Sequence, residues 1–283
     1  MKKKTERAKD FLSDNDCLFR CPICKLELLA AENGLACTQN HHFELSKKGT
    51  VFFLKKAVKT DYDKEMFLPR GRMIRSGMYA PVIERIFDKL DENGTSLDVG
   101  SGEGSFLFEL SKLGLDGIKI GFDISKDGIY QATNQPVYDN TFWCVADLTN
   151  LPFADESFDQ ILNIFTPSSY TEFARVLKPG GKVVKIIPEE NYLKELRQAF
   201  YPQNEGKQSY SNEKVLEKLE SQMTIISNER IQYLFEIPER HRLDLLEMSP
   251  LEWGADKGVK EKLKIEPLAS ITVDVRVIVG CFE

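Results

Sequence analysis

The chain changes its hydrophobic pattern near Thr95. From there on, apolar runs of strand length recur along the sequence, namely TSLDVG, IKIGFDI, TFWCVA, FDQILNIF and GKVVKIIP. Helical stretches separate several of these runs. Strands that alternate with helices predict a mostly parallel sheet with helices on both faces, which is an α/β fold.

The segments on either side of this region have other patterns. Before it, YAPVIERIFDKL brings its apolar residues to one face of a helix. After it, residues 212–221 and 238–248 predict helices, and TIISNERIQYLFEI and ASITVDVRVIVGCF predict strands. We therefore divide the chain into a flexible N-terminus (1–16), a Cys/His-rich module (17–56), a helical connector (57–93) and an α/β domain (94–283).

Composition agrees with a protein that has a substantial core. Hydrophobic residues make up 42% and charged residues 29% of the 283 residues. No run of about 18 apolar residues is present, so we expect no membrane span. The basic start, MKKKTERAKDFLSDND, lacks the apolar stretch of a secretory signal, and six cysteines are too few for a disulfide scaffold. We expect a cytoplasmic protein.

Charge is distributed unevenly along the chain. Residues 1–75 contain 16 Lys and Arg against 10 Asp and Glu, a net charge of +6, whereas the whole chain has −6. Residues 76–283 therefore carry −12. A basic front end on an acidic protein is typical of a part that contacts a polyanion, although a solvated surface would show the same charges.

Four candidate metal ligands lie close together in the N-terminal module. Cys21-x2-Cys24 is followed, after twelve residues, by Cys37-x3-His41. Three thiolates and one imidazole suit a closed tetrahedral zinc site of the structural type. The metal would replace a core that about forty residues cannot build.

Two other interpretations of this cluster carry less support. A redox CxxC pair would need a thioredoxin-like βαβ pattern around it, and none is present. Cys17 and His42 adjoin the ligand positions, and we expect both to be bystanders rather than ligands.

A glycine-rich loop follows the first strand of the α/β domain. In LDVGSGEGSF, glycines at 100, 102 and 104 let the backbone approach a ligand, and the helix that follows offers free N–H groups. The spacing is G-x-G-x-G, which does not match the G-x-G-x-x-G of dinucleotide-binding proteins.

Together with later segments, this loop resembles the first motif of the class I S-adenosylmethionine-dependent methyltransferases. GFDIS, VADLTNLPF, FDQILNIFTP and ARVLKPGGKVV follow in the order that the family shows, so the resemblance covers roughly residues 95–190. It implies a Rossmann-like fold with a seven-stranded, mostly parallel sheet, beside the small zinc-knuckle domain.

The resemblance also implies S-adenosylmethionine as the cofactor. The first motif would meet its methionine end, Asp123 its ribose hydroxyls, and Asp147 with Leu148 its adenine. The residues so assigned to the cofactor are Tyr79, Asp98, Gly100, Gly102, Glu103, Gly104, Asp123, Asp147, Leu148, Asn163 and Tyr192. No Asp, Glu or His lies between Gln160 and Tyr170, so no general base is assigned.

The zinc module and the methyltransferase motifs together resemble the bacterial 23S rRNA guanine-N1 methyltransferase family. The resemblance rests on CPIC, SKKGTVFFL, RSGMYAP, LDVGSGEG, GFDIS and LEMSPLEW, and covers nearly the whole chain. It implies methylation of a guanine N1 in a 23S rRNA hairpin, with the zinc module and basic connector holding RNA, and a homodimer. The alternatives are a small-molecule methyltransferase and a non-catalytic RNA-binding protein with a relic cofactor fold.

Overall fold

The computed structural model describes residues 2–56, 58, 63–136 and 139–282. Its helices are α1 (Lys4–Asn15), α2 (Lys64–Met73), α3 (Ala80–Phe87), α4 (Ser105–Leu113), α5 (Lys126–Ala132), α6 (Tyr170–Val176), α7 (Lys194–Phe200), α8 (Glu205–Gln208), α9 (Glu213–Glu220), α10 (Arg242–Glu247) and α11 (Lys257–Ile265). Among the described residues, no helix is both long and apolar enough to cross a membrane.

The strands form two sheets. They are β1 (Leu29–Ala31), β2 (Gly34–Ala36), β3 (His42–Glu44), β4 (Val51–Phe52), β5 (Ser96–Val99), β6 (Lys119–Asp123), β7 (Thr141–Val145), β8 (Phe158–Ile164), β9 (Leu177–Pro188), β10 (Thr224–Glu236) and β11 (Ser270–Cys281). Strands β1, β2 and β3 make a small antiparallel sheet. The main sheet has the order β10-β11-β9-β8-β5-β6-β7-β4.

The main sheet confirms the α/β class that the sequence predicts. Neighbouring strands from β4 to β9 are parallel, and β11 and β10 add an antiparallel edge. Parallel strands all end at one edge of the sheet, so the loops that follow β5, β6, β7 and β8 meet there.

The predicted strand number is too low by one. The eighth strand is β4, which belongs to the predicted zinc module and pairs in parallel with β7. Val51 is fully buried, and the N–H of Phe53 donates to the carbonyl of Val145 at 2.9 Å. The last part of segment 17–56 is therefore built into the main sheet. The first connector position, 57, lies outside the described residues.

The N-terminus is a docked helix, so the prediction of a flexible segment over 1–16 is wrong for residues 4–15. Helix α1 buries Ala8, Phe11 and Leu12 on one face. The ring of Phe11 stacks on Phe142 of β7, with centroids 5.2 Å apart. The segment is mostly polar, and for this reason the sequence suggested flexibility. Its three buried apolar residues nevertheless pack one face of the helix against the protein.

Aromatic side chains join the N-terminal Cys/His-rich module to the main sheet. Phe19 contacts Phe53, Phe142 and Phe153, with ring centroids 5.8 to 6.1 Å apart. These residues belong to a single buried cluster that also contains Phe43 of β3. The two parts of the chain therefore share one hydrophobic core.

Replacing Phe11 with Ala tests the docking of α1. Removal of a buried aromatic side chain should lower the free energy of unfolding by about 3 kcal/mol, measured by urea denaturation. Asp14→Ala, at an exposed site on the same helix, should change it by no more than about 0.5 kcal/mol. Equal stabilities of the two variants would contradict a docked helix.

Candidate functional site

The four predicted metal ligands meet in space. Ligand atoms of Cys21, Cys24, Cys37 and His41 all lie within 4.8 Å of one another. The Nδ1 atom of His41 is 3.5 Å from the Sγ of Cys21 and 3.4 Å from that of Cys37. These separations suit a metal ion that is tetrahedrally coordinated by three sulfur atoms and one nitrogen atom.

Two tight turns of the backbone bring these ligands together. The N–H of Lys25 donates to the carbonyl of Cys21, and the N–H of Asn40 donates to that of Cys37. Lys25, which follows Cys24, and Asn40, which precedes His41, have φ values of 65° and 63°. This left-handed conformation lets the chain turn sharply beside each ligand. Both turns are thus shaped to present sulfur atoms to a common point.

The electrostatics of the cluster also suit a cation. Burial opposes ionisation of Cys37, but the backbone N–H groups of His41 and Gln39 outweigh it, and the pKa of this thiol falls to about 6. A thiolate is the form that binds metal. Cys17 and His42 are exposed and lie outside the cluster.

A second site lies at the carboxyl ends of the parallel strands. It is a cavity of about 340 Å³ lined by the glycine loop, the ends of β6 and β8 and one face of α2. Of the predicted cofactor residues, those that line it are Asp98, Gly100, Gly102, Glu103, Asp123, Asp147 and Leu148. The volume is typical of small-molecule and cofactor sites.

The glycine loop needs its glycines for both conformation and space. Gly100 and Gly102 have φ values of 65° and 54°, which L side chains rarely adopt. A Cβ on Gly100 would lie 2.4 Å from Oγ1 of Thr166, and one on Gly102 would lie 3.0 Å from the ring of Phe67. Gly104 does not line the cavity, but a Cβ there would lie 2.6 Å from the ring of Trp143.

Buried carboxyl groups surround this loop. Burial, followed by the nearby charges of Asp123 and Glu103, raises the pKa of Asp98 to about 8. Its Oδ2 atom is buried and finds no hydrogen-bond partner within the described part of the chain. An acidic group of this kind, facing a cavity, suits a ligand that brings a positive charge or a hydrogen-bond donor.

Asp123 fixes the loop as well as facing the cavity. Its carboxylate accepts from the N–H of Gly102 at 2.9 Å and from that of Ser125 at 2.7 Å. Burial raises the pKa of Asp123, although these two N–H groups act against the shift. One carboxylate therefore ties the end of β6 to the turn that follows β5.

Asn163 does not line the cofactor cavity, in contrast to its predicted role. Its Nδ2 donates to the carbonyl of Pro167 at 2.9 Å, and its Oδ1 accepts from Ser168 Oγ and from Lys185 Nζ. The side chain is fully buried and its polar atoms are used by the turn after β8. Asn163 thus supports residues 166–168 from behind.

Tyr79 and Tyr192 are also set back from this cavity. Their hydroxyl groups are hydrogen-bonded to each other at 2.5 Å, and Tyr192 stacks on Phe165 with centroids 5.3 Å apart. Burial raises the pKa of Tyr79 to about 12. The two tyrosines, which the resemblance assigned to the cofactor, form an aromatic wall behind Phe165 and Phe106, which themselves line the cavity.

Sequence reasoning missed two features of this site. Met66, Phe67 and Arg70 of α2 cover the glycine loop, although they precede it by about thirty residues. A larger second cavity, of about 900 Å³, adjoins the first and shares Phe165, Thr166 and Pro167 with it. Phe165 and Tyr192 of the second cavity belong to segments that the sequence analysis used. Other basic and aromatic residues of this cavity, such as Arg197, Tyr210 and Lys214, lie beyond the recognised motifs, so no local signal identified them.

The chain matches two known families. Residues 90–238 match a family described as "Methyltransferase domain", and residues 19–58 match one described as "RlmA, N-terminal" and named a zinc ribbon. A chain of the Haloferax volcanii complex between the Trm112 methyltransferase activator and a methyltransferase has the same fold. Its TM-score is 0.53 at 21% identity, over 80% of this chain and 99% of that one.

Relatives extend the match to the whole length. The Bacillus subtilis (strain 168) protein named "Putative 23S rRNA (guanine-N(1)-)-methyltransferase YxjB" is 38% identical, over 93% of this chain and 96% of that protein. The 23S rRNA (guanine(748)-N(1))-methyltransferase of Streptomyces fradiae is 25% identical, over 84% of this chain and 86% of its own. These matches show that the chain belongs to the 23S rRNA (guanine-N1)-methyltransferase family of S-adenosylmethionine-dependent enzymes.

Proposed function

We propose that this protein transfers a methyl group from S-adenosylmethionine to N1 of a guanine in a 23S rRNA hairpin. One observation carries the proposal beyond family membership. The cofactor cavity and a larger basic cavity share Phe165, Thr166 and Pro167, so a donor and a nucleotide acceptor can meet at this wall. The compartment we propose is the cytoplasm, where bacterial ribosomal RNA is found.

The residues of the first cavity fit the cofactor in charge and in space. We propose that Asp98 and the glycine loop hold its methionine end, that Asp123 accepts from its ribose hydroxyls, and that Asp147 and Leu148 flank its adenine. The unpartnered Oδ2 of Asp98 and the position of Gly100 and Gly102 in the cavity wall support this orientation. Phe67 and Arg70 of α2 would cover the same ligand from the opposite side.

In this reaction the protein mainly has to position the two substrates, because the cofactor supplies the reactive group. When bound, S-adenosylmethionine supplies a methyl group on a sulfonium, which is already a strong electrophile. The target base must leave its stack to reach the wall at Phe165. No Asp, Glu or His is found among the described residues of the second cavity, so the protein's main contribution there is orientation and exclusion of water.

We propose that the zinc module has a structural role and an RNA-binding role. The metal would hold the two turns that carry Cys21, Cys24, Cys37 and His41, because their segment has few buried apolar residues of its own. Exposed lysines at 47, 48, 55 and 56 flank strand β4 in the sequence, and we propose that they contact the RNA backbone. A homodimer with an RNA-sized cleft remains our hypothesis for the assembled enzyme.

The function is tested by reverse transcription across 23S rRNA from cells with and without the protein. Methylation of guanine N1 blocks base pairing, so a stop should appear at one guanine only in the presence of the protein. A variant with Gly102→Val should give no stop, because the added side chain fills the space beside Phe67. Identical stop patterns with and without the wild-type protein would refute the assignment.

The role of Asp98 gives a pH-dependent prediction. An unfolded aspartate loses its proton near pH 4, whereas the folded protein holds this proton to about pH 8. The cofactor-free fold therefore loses stability as pH rises through this interval. Asp98→Asn should reduce the fall in Tm between pH 5 and pH 8, measured by thermal denaturation.

The same variant should bind the cofactor more weakly at pH 8, because a neutral amide cannot pair with a cationic group. Isothermal titration measures this affinity, and Asp14→Asn on α1 is the control that should leave both properties unchanged. Wild-type cofactor affinity in Asp98→Asn would remove Asp98 from the proposed site.

The metal assignment predicts close to one zinc ion per chain in the purified protein. Cys21→Ser should lose the metal and, because Phe19 and Phe53 pack on the main sheet, should also lower the Tm of the catalytic domain. Cys17→Ser, outside the cluster, should keep both. Metal content is measured by mass spectrometry, and full zinc occupancy in a Cys24→Ser/His41→Ala variant would contradict the ligand set.

A further inference from the structure

The second cavity has a one-sided charge. Within the described chain it is lined by six cationic side chains and by no carboxylate; the cations are Arg70, Lys185, Arg197, Lys207, Lys214 and Lys218. The whole protein has a net charge of −6, so this concentration of positive charge is not a general property of its surface. A cleft lined by one sign of charge attracts ligands of the opposite sign.

Two of these cations are displayed by a single helix. Lys214 and Lys218 are four residues apart on α9, so they project from the same face, and Val215 lines the cavity between them. Both side chains are exposed, and neither is ion-paired with a carboxylate in the described ranges. They are therefore available to a polyanion.

The walls of the cavity are held in place by internal hydrogen bonds. The buried guanidinium of Arg197 donates to the carbonyls of Glu190, Tyr192 and Gln208. The hydroxyl of Tyr201 donates to the carbonyl of Leu251 at 2.7 Å. Because these bonds tie α7 to the segments on both sides of it, the cavity is preformed rather than dependent on a ligand.

Aromatic rings accompany the charges. Tyr210 lines the cavity with 36% of its surface exposed, which is high for a large ring. The ammonium of Lys207 lies 4.6 Å from the ring centre of Tyr201. Exposed aromatic rings beside unpaired lysines are the usual surface for single-stranded nucleic acid, because bases stack and phosphates pair.

No described residue of the zinc module lines this cavity. Strand β4, which ends the module, lies at the far edge of the main sheet, five strand positions from β9. At about 4.8 Å per strand, this is a separation of about 24 Å. RNA that is bound at the zinc module would have to cross the cofactor cavity before it reached α9.

We propose that the second cavity binds the single-stranded RNA segment next to the target guanine, with Lys214 and Lys218 contacting its phosphates and Tyr210 stacking on a neighbouring base. This inference rests on the proposed function and adds a binding surface on the catalytic domain. The unpaired target guanine would then enter along the wall formed by Phe165, Thr166 and Pro167.

A double variant, Lys214→Ala/Lys218→Ala, tests the phosphate contacts. The full-length protein is assayed with labelled S-adenosylmethionine and a 23S rRNA fragment at several salt concentrations. We expect a several-fold higher KM for RNA and a log–log salt dependence flatter by about 1.4, since each contact to a single-stranded phosphate contributes about 0.7. The Kd of S-adenosylmethionine should not change.

The matched control is Lys112→Ala/Lys182→Ala. It removes the same charge from two positions that do not line the second cavity, one at the end of α4 and one in β9 opposite Gln160, and should keep the wild-type salt dependence. Equal KM values and salt slopes in both double variants would overturn the inference, as would a loss that is confined to cofactor binding. Failure of the wild-type protein to methylate guanine N1 would instead refute the proposed function.

Two variants of Tyr210 distinguish the contribution of base stacking to RNA binding from that of charge. Tyr210→Ala should weaken RNA binding by about 5- to 150-fold, the range for loss of one base–aromatic stack, whereas Tyr210→Phe keeps the ring and should bind like the wild type. The salt slope should stay unchanged in both, because neither variant alters a charge. Wild-type RNA affinity in Tyr210→Ala would remove this ring from the proposed surface.

Discussion

The packing of Phe19 between the zinc module and the main sheet is the contact on which the arrangement of this enzyme depends. It joins Phe53 to Phe142 and Phe153, so that strand β4 can pair with β7. From this edge the chain returns as α2, which covers the glycine loop with Phe67 and Arg70. The module that carries the predicted metal ligands is in this way joined to the main sheet, and the helix that follows it in the chain covers the cofactor cavity.

The cofactor cavity carries a cost in stability that its function explains. Asp98, Glu103 and Asp123 are buried near one another, and burial raises the pKa of each. Like charges in one buried site oppose ionisation, and a cationic ligand relieves that opposition. Phe165 adds backbone strain, with a φ of 55° that its contacts with Tyr79, Phe106 and Tyr192 maintain. Both features lie where donor and acceptor would meet.

The sequence predicted the parts of the site that are local in the chain. The CxxC and Cys-x3-His spacings, the glycine loop and Asp123 each follow from a short segment with a clear chemical pattern. The pairing of β4 with the main sheet was not foreseen, because a strand of two residues gives no signal of its partner. Phe67 and Arg70 could not be foreseen, since only tertiary packing brings α2 to the loop. Asn163 was assigned by resemblance alone, and its polar atoms face the turn after β8.

The second cavity is also formed by residues that are distant in the sequence, so the sequence alone did not predict it. One of its cations comes from α2, and the others come from β9 and the segments around α7 and α9, more than a hundred residues later in the chain. The basic front end gave the only charge signal in the sequence, and its lysines at 47, 48, 55 and 56 flank β4 at the far edge of the main sheet. Of the six cations of the second cavity, it contains Arg70 alone. An RNA path that includes both surfaces agrees with the strand order, because the cofactor cavity lies between them.

The most direct test of this account is the destination of the methyl group. The purified protein is incubated with methyl-labelled S-adenosylmethionine, protein-free ribosomal RNA and a small-molecule extract. The RNA is then digested to nucleosides, which are separated by liquid chromatography and identified by mass spectrometry. The account predicts label in 1-methylguanosine from 23S rRNA and none in the extract. Label that appears only in small molecules would contradict it.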